Sequence, residues 1–321
     1  MCPNTYNCMK TSSVLKYGIL PAIIACMLCL NACDTRTAEQ KTQAAMAKKG
    51  GLALTLEAST AELTDSVFTL LSARMQNYGV KYAGVRLTND GQICAELPGI
   101  TDNEQTERVC TLLQAVGALE FRETYTLAEL LPALSQLLGT DSIQHYISLY
   151  TNADGTPIEG PTVGLVQIAD TAAVSAILAS EHIRQLLPAD IQFGWSASVM
   201  NYEFYELIAL RGKPCITSAN IKQVEAGTDR KTMPHISITL DEQGAKALHA
   251  MSLANMDRCI AILVDGAVYM YPRVVSEIRE GKCELAGNLT YEQTTDLANI
   301  LDNGPLPASV RITEQTTVNP K

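Results

Sequence analysis

Catalysis needs side chains that titrate, attack or ligate in useful company, and this chain offers few such groupings. The four histidines, His145, His182, His235 and His249, contain no His-Glu-x-x-His pair. No two of Cys94, Cys110, Cys215, Cys259 and Cys283 stand at metal-ligand spacing. No metal and no cofactor is expected. Gly194-Trp195-Ser196-Ala197-Ser198 misses a nucleophile elbow by one residue, ending in Ser where the sharp turn needs Gly, and its flanks read as strand. Gly50-Gly51 and the stretch from Gly79 to Gly84 lack the Lys-Ser/Thr ending that cradles phosphate. Two features remain. One is Cys33, placed directly after an apolar run. The other is a cluster of rings, Phe193, Trp195, Tyr202, Phe204 and Tyr205, in a chain only 5% aromatic.

Lys10 and Lys16 precede the apolar run Gly18 to Leu30, which is shorter than the roughly 20 residues a membrane-crossing helix needs. It reads as a signal peptide over residues 1–32. The run ends in Leu30-Asn31-Ala32-Cys33 and turns polar at Asp34, an order that resembles the bacterial lipobox, with Asn31 departing from the usual pattern. The resemblance implies diacylglycerol on the Cys33 thiol. Two acyl chains, at about 0.8 kcal/mol per buried methylene, anchor a protein where one does not. The expected location is the periplasmic side of a bacterial membrane, with no transmembrane helix in the mature chain. Removing the leader leaves an odd number of unlipidated cysteines, so no disulfide framework is readable. Buried, apolar thiols are expected, and a single disulfide remains open.

Acidic residues outnumber basic ones, 34 to 24, and no Lys/Arg run exceeds Lys48-Lys49, so nucleic acid is excluded as an expected partner. Residues 33–51 are polar and alanine-rich and read as a tether. Beyond them the fold class is α+β. Leu52, Leu54 and Leu56 alternate as a strand, Val67, Leu70, Leu71 and Tyr78 follow helical spacing, and two strands, 82–88 and 92–97, flank a turn at Asp90-Gly91. A helix starting near Thr101 or Asp102 buries Val109, Leu112, Leu113 and Val116, and Ala118 to Arg122 closes the set as a strand. The order βαββαβ predicts a ferredoxin-like base over 52–125.

Residues 126–161 form a connecting segment, with a helix interrupted near Pro132 and a loop from Thr151 to Pro161. A second α+β unit spans 162–315. There Asp170 caps a helix through Leu187, and strands follow at 191–199 and 202–210. The first unit's order then returns, with a strand at 235–240, a helix after Asp241, a hairpin through Asp265-Gly266, a helix capped at Thr290 and a strand at Val310 and Ile312.

Two groups of residues resemble a known family. Glu96-Leu97-Pro98-Gly99-Ile100-Thr101-Asp102 with Ala118-Leu119-Glu120-Phe121-Arg122 is similar to the start of the first periplasmic domain of the SecD/SecDF protein-export family. Thr239-Leu240-Asp241, Gly244-Ala245-Lys246, Ile260 to Gly266, Tyr271-Pro272, Gly287 to Thr290 and Leu306-Pro307-Ala308 follow the same family's order. The resemblance implies a ferredoxin-like base and a mobile head that holds polypeptide emerging from the translocon. It stops short of a proton motor, because no apolar run after Cys33 is long enough to span a membrane.

The expected function is therefore a non-enzymatic envelope lipoprotein that binds non-native or translocating polypeptide, or docks on Sec translocon components, without a motor of its own. Its candidate polypeptide contacts are Phe193, Trp195, Tyr202, Phe204 and Tyr205, although Tyr202, Phe204 and Tyr205 cannot all share one face of a strand. A structural or scaffold lipoprotein is the alternative. An envelope hydrolase has the least behind it.

Overall fold

The computed structural model describes residues 36–140, 142–200, 203–227, 233–287 and 289–320. Strand β1 (Gly51–Ala58) turns Leu52, Leu54 and Leu56 to one side, where all three are buried. Strands β2 (Gly84–Leu87) and β3 (Ile93–Pro98) extend the sheet, and Ile93, Ala95 and Leu97 join the same core. Helices α2 (Thr64–Tyr78) and α3 (Asn103–Gln114) cover it with Val67, Leu71, Val109, Leu112 and Leu113. The Asp102 carboxylate caps α3 by accepting from the Gln105 N–H at 2.8 Å.

The fourth strand of this sheet differs from the expectation. Its order is β14-β1-β3-β2, antiparallel throughout, and β14 is Val310–Val318 from the other end of the chain. The segment expected to close the base, β4 (Leu119–Thr124), belongs to a different sheet. The reason lies in its partner. Strand β11 (Ile260–Val264) is buried at every position, and β4 offers it a full register from Glu123 to Leu119. The ferredoxin-like strand order thus survives, but its last strand arrives only after the rest of the chain has been laid down.

The tether is also corrected. Residues Ala38–Lys49 form helix α1, closed at its start by a capping box in which Thr37 and Gln40 exchange hydrogen bonds. Thr42 and Met46, one turn apart, are buried against the sheet. The absence of side chains on Gly51 and Gly84 admits them: a Cβ on Gly51 would stand 2.8 Å from Met46 Sδ, and one on Gly84 2.9 Å from Thr42 Oγ1.

The second unit is built on seven strands in the order β4-β11-β12-β7-β8-β6-β5, with β5 Ile147–Leu149, β6 Thr162–Gln167, β7 Ile191–Ser196, β8 Phe204–Thr217 and β12 Ala267–Met270. Because β8 also pairs with β4, strands β4, β11, β12, β7 and β8 close a ring. Ile208, Leu210, Ala261, Leu263 and Val268 fill its inside. Gly194 makes room for them, since a Cβ there would lie 3.0 Å from Val268 Cγ2 and 3.2 Å from Leu210 Cδ1. A three-stranded sheet, β13 (Lys282–Ala286), β10 (His235–Leu240) and β9 (Ile221–Gly227), shares a core with the outer face of β4 and β11 and with helices α7 (Glu242–Ala254) and α8 (Tyr291–Asp302). The element order expected to repeat over 235–312 is therefore dispersed over three sheets.

Two helices depart from expectation as well. Helix α4 (Leu127–Thr140) runs through Pro132 instead of breaking there. A Thr126–Glu129 capping box and the burial of Leu127, Leu130 and Leu134 outweigh the hydrogen bond that the proline removes. The helix expected from Asp170 to Leu187 is two, α5 (Thr171–Ala179) and α6 (Glu181–Leu186), parted at the extended Ser180.

Both chain crossings between the units meet at one buried cation. Arg74 of α2 is fully buried, and its guanidinium donates to the carbonyls of Leu112, Ala115 and Val116, where the chain leaves the first unit, and to Gly304, where it returns. Burial pushes its pKa down to about 10, opposed by Asp265, so it stays charged at neutral pH. Asp265 Oδ1 in turn accepts from the N–H groups of Gly117 and Ala118, both at 2.8 Å. Gly117 holds φ +85, and a Cβ there would meet Ile300 Cγ2 at 2.8 Å. Among the described residues no helix is long and apolar enough to cross a membrane.

Candidate functional site

Strand parity sorts the expected rings. Phe193 and Trp195, two residues apart on β7, oppose Ala209 and Leu207 of β8 and point out of the ring toward α5 and α6. Tyr205 opposes Val166 and shares that face, because Val166, Leu207 and Ala209 all belong to the core beneath it. Phe204 faces the opposite way. Tyr202, like Cys33, lies outside the described residues. The structure thus brings three of the five rings to one face and parts Phe204 from them.

Phe193 and Trp195 are each half-buried. They pack on a core that includes Val174, Leu178, Ile183 and Leu187, and above them lies a groove of about 520 Å³ walled by α5, α6 and the Pro188-Ala189 turn. That volume is within the roughly 300–1,000 Å³ of ligand-binding clefts. The indole N–H of Trp195 donates to Ser175 Oγ at 3.3 Å, which fixes the ring's orientation and leaves its face as the available surface. Arg184 is exposed at the rim. Leu178, Leu187 and Pro188 were not singled out in the sequence, although Val174/Leu178 and Ile183/Leu187 keep a one-turn spacing that a helix facing this strand requires.

Behind the groove, β8 carries a polar cluster on its other face. Tyr271 OH donates to both carboxylate oxygens of Glu206 at 3.1 Å and accepts from Thr162 Oγ1 at 3.2 Å. Burial raises the pKa of Glu206, opposed by the Tyr271 bond, and pushes that of Tyr271 up to about 12. Ser196, the serine of the near-elbow, is buried in β7. Its Oγ accepts from the Glu206 N–H at 3.0 Å and donates to the Ser198 carbonyl at 2.8 Å, so its hydroxyl is used by the backbone. His249 pairs with Glu277 at 3.0 Å on the surface of α7. The cysteines differ from the buried thiols expected of them: Cys94, Cys110, Cys259 and Cys283 are half-buried, Cys215 is exposed, and all five are free. Burial pushes the Cys283 thiol up to about 12, far from a reactive thiolate. Among the described residues no three His, Cys, Asp or Glu side chains are grouped to hold a metal ion.

Residues 198–308, from the end of β7 through α8, match the model of the SecDF P1 head subdomain. The chain is 27% identical over 300 residues to the protein translocase subunit SecD of Rhodothermus marinus, an alignment that covers 81% of this chain and 47% of that protein. These matches support a SecD/SecDF periplasmic domain. Protein translocase subunit SecDF of Thermus thermophilus is 24% identical over 288 residues, covering 88% of this chain and 32% of its own. The crystal structure of SecDF in its super-membrane-facing form superposes with a TM-score of 0.51 at 20% identity, over 92% of this chain and 34% of that one, which shows a shared fold. The chain spans about half or less of the length of these curated SecD and SecDF relatives. Within the SecD/SecDF-like region, Phe204 and Tyr205 fall inside the matched head segment, and Phe193 and Trp195 lie just before it.

Proposed function

We propose that this protein takes part in protein export as a non-enzymatic binder of non-native or translocating polypeptide, held on the periplasmic side of a membrane by acyl chains on Cys33. The observation that carries the reading is the half-buried pair Phe193 and Trp195 beneath an open groove of about 520 Å³, whereas a second groove of about 570 Å³ between α3 and α8 is rimmed by charged side chains, among them Glu104, Glu107, Arg108 and Asp296. Such a surface binds apolar side chains of an extended segment without strict sequence preference, and modest contact area suits a holder that must release. Its relatives are named protein translocase subunits, which supplies the setting.

The test is a titration of the protein with a permanently unfolded reporter, followed through Trp195, the single tryptophan of the chain. A saturable change in indole emission is expected, with affinity in the micromolar range. An unchanged spectrum up to high micromolar reporter, together with binding to a folded envelope protein, would favour the scaffold reading. That second reading has its own support, since the Trp195 N–H is already satisfied within the protein and the ring rests on its core. Anchoring is tested separately. Cys33→Ser is expected to lose the acyl chains and leave the membrane fraction, and retention after a high-salt wash would refute the lipid assignment.

A further inference from the structure

Charge is spread unevenly over this acidic chain. Residues 36–49 and 79–87 carry Arg36, Lys41, Lys48, Lys49, Lys81 and Arg86 against one acid, Glu39, a net of +5 in a chain of formal net charge −10. The two segments adjoin in space, because Thr42 of α1 sits against Gly84 of β2. Gly84 and Arg86 oppose Glu96 and Cys94 and so face away from the core side of the sheet, the side that Val85 shares with Leu97 and Ile93. Arg86 therefore stands on the same face of the sheet as α1, and so does Glu96, which brings the net charge of the two segments with this residue to +4.

The turn before β2 adds apolar surface to this charge. Tyr82 is 42% exposed and held at φ +66, with Lys81 Nζ 5.0 Å from its ring centre. A solvent-facing aromatic ring among lysines is the composition that settles at a membrane–water interface. The chain connection points the same way. Cys33 stands four residues before the cap Thr37, so even a fully extended link reaches only about 14 Å. Acyl chains on Cys33, on which this inference rests, would keep the start of α1 within one or two Debye lengths of the headgroups.

We propose that α1, the Lys81–Tyr82 turn and β2 form a membrane-facing surface that lies against an anionic lipid bilayer. The basic residues supply a second, electrostatic contact beside the acyl chains, and together the two fix the orientation of the first unit. The groove of Phe193 and Trp195 lies on the other unit and shares no residue with this surface.

The purified full chain is bound to vesicles of phosphatidylcholine, with or without a third phosphatidylglycerol, whose acyl chains carry bromine. Flotation after a high-salt wash reads the lipid on Cys33. Quenching of the indole in Tyr82→Trp, placed in a Trp195→Phe background, reads the surface, and native Trp195 serves as the comparison. On anionic vesicles the Tyr82→Trp indole is expected to be quenched about threefold more than Trp195, with the excess removed by Lys81→Glu/Arg86→Glu. Equal quenching at the two positions in a chain that still floats after the wash overturns the surface and leaves the lipid anchor standing. Release by the wash, with excess quenching kept at low salt, supports the surface and refutes the anchor.

Discussion

In the first unit every core-facing position of β1 and β3 is covered, from Leu52 to Leu56 and from Ile93 to Leu97, whereas β7 leaves Phe193 and Trp195 only partly covered. Both surfaces are apolar strand faces with helices laid over them. What separates them is how much of each the helices cover. Two long helices, α2 and α3, close the first sheet, while the break at Ser180 splits the cover over β7 into the short α5 and α6 and leaves a groove beside them. Closure stabilises a fold, and incomplete closure leaves a surface for a partner.

The contrast is most exposed to failure at Arg74. Arg74→Met leaves four backbone carbonyls without their guanidinium donor, and is expected to cost about 3–5 kcal/mol in urea unfolding, with both units affected. A loss below 1 kcal/mol would show that the junction is not held there. Next in size, Gly117→Ala meets both an unfavourable φ and Ile300, and should cost about 2–3 kcal/mol. Gly79→Ala, at a similar φ with no neighbour within 4 Å, should cost about 1 kcal/mol and so isolates the steric part.

Trp195→Ala sharpens the comparison from the other side. Its ring is only half-buried, so about 1–2 kcal/mol of stability is expected to go, while affinity for an unfolded reporter measured by anisotropy should fall about tenfold. Loss of stability without loss of affinity would return the ring to the core. The smallest effect is at Glu206, whose carboxyl titrates above its unfolded value because of burial. Between those two values the folded chain binds the extra proton, so stability falls as pH rises through the folded value. Glu206→Gln does not titrate. Relative to the native chain it should therefore gain stability on going from pH 4 to pH 7.5 in paired thermal melts.

Much of this contrast was legible in the sequence, because caps and turns are local. Asp241 and Thr290 cap their helices as their spacing implies, and Asp265-Gly266 makes the tight β11–β12 turn with both residues at positive φ. The ring cluster stood out by composition, and the alternation of a strand forced Phe204 and Tyr205 apart. Helix α1 was missed although Thr37-Ala38-Glu39-Gln40 is itself a capping-box sequence, because only Thr42 and Met46 bury and no apolar stripe announces them. The strand at Val310 and Ile312 was expected, but its pairing with β1 was beyond local reasoning. Its segment Glu314 to Thr317 is polar and exposed, and its partner β1 lies some 260 residues earlier in the chain, at Gly51↔Val318. The width of the groove depends on Ser180, which sits between two stretches of good helix formers and carries no breaker signal of its own.

The central claim is that the incompletely covered face of β7 binds polypeptide and the closed sheet does not. Amide hydrogen exchange of the full protein, with and without saturating unfolded reporter, tests it most directly. The account predicts slower exchange confined to β7, α5 and α6, with β1 and β3 unchanged. Unchanged exchange across residues 171–196, with protection appearing elsewhere, would contradict it.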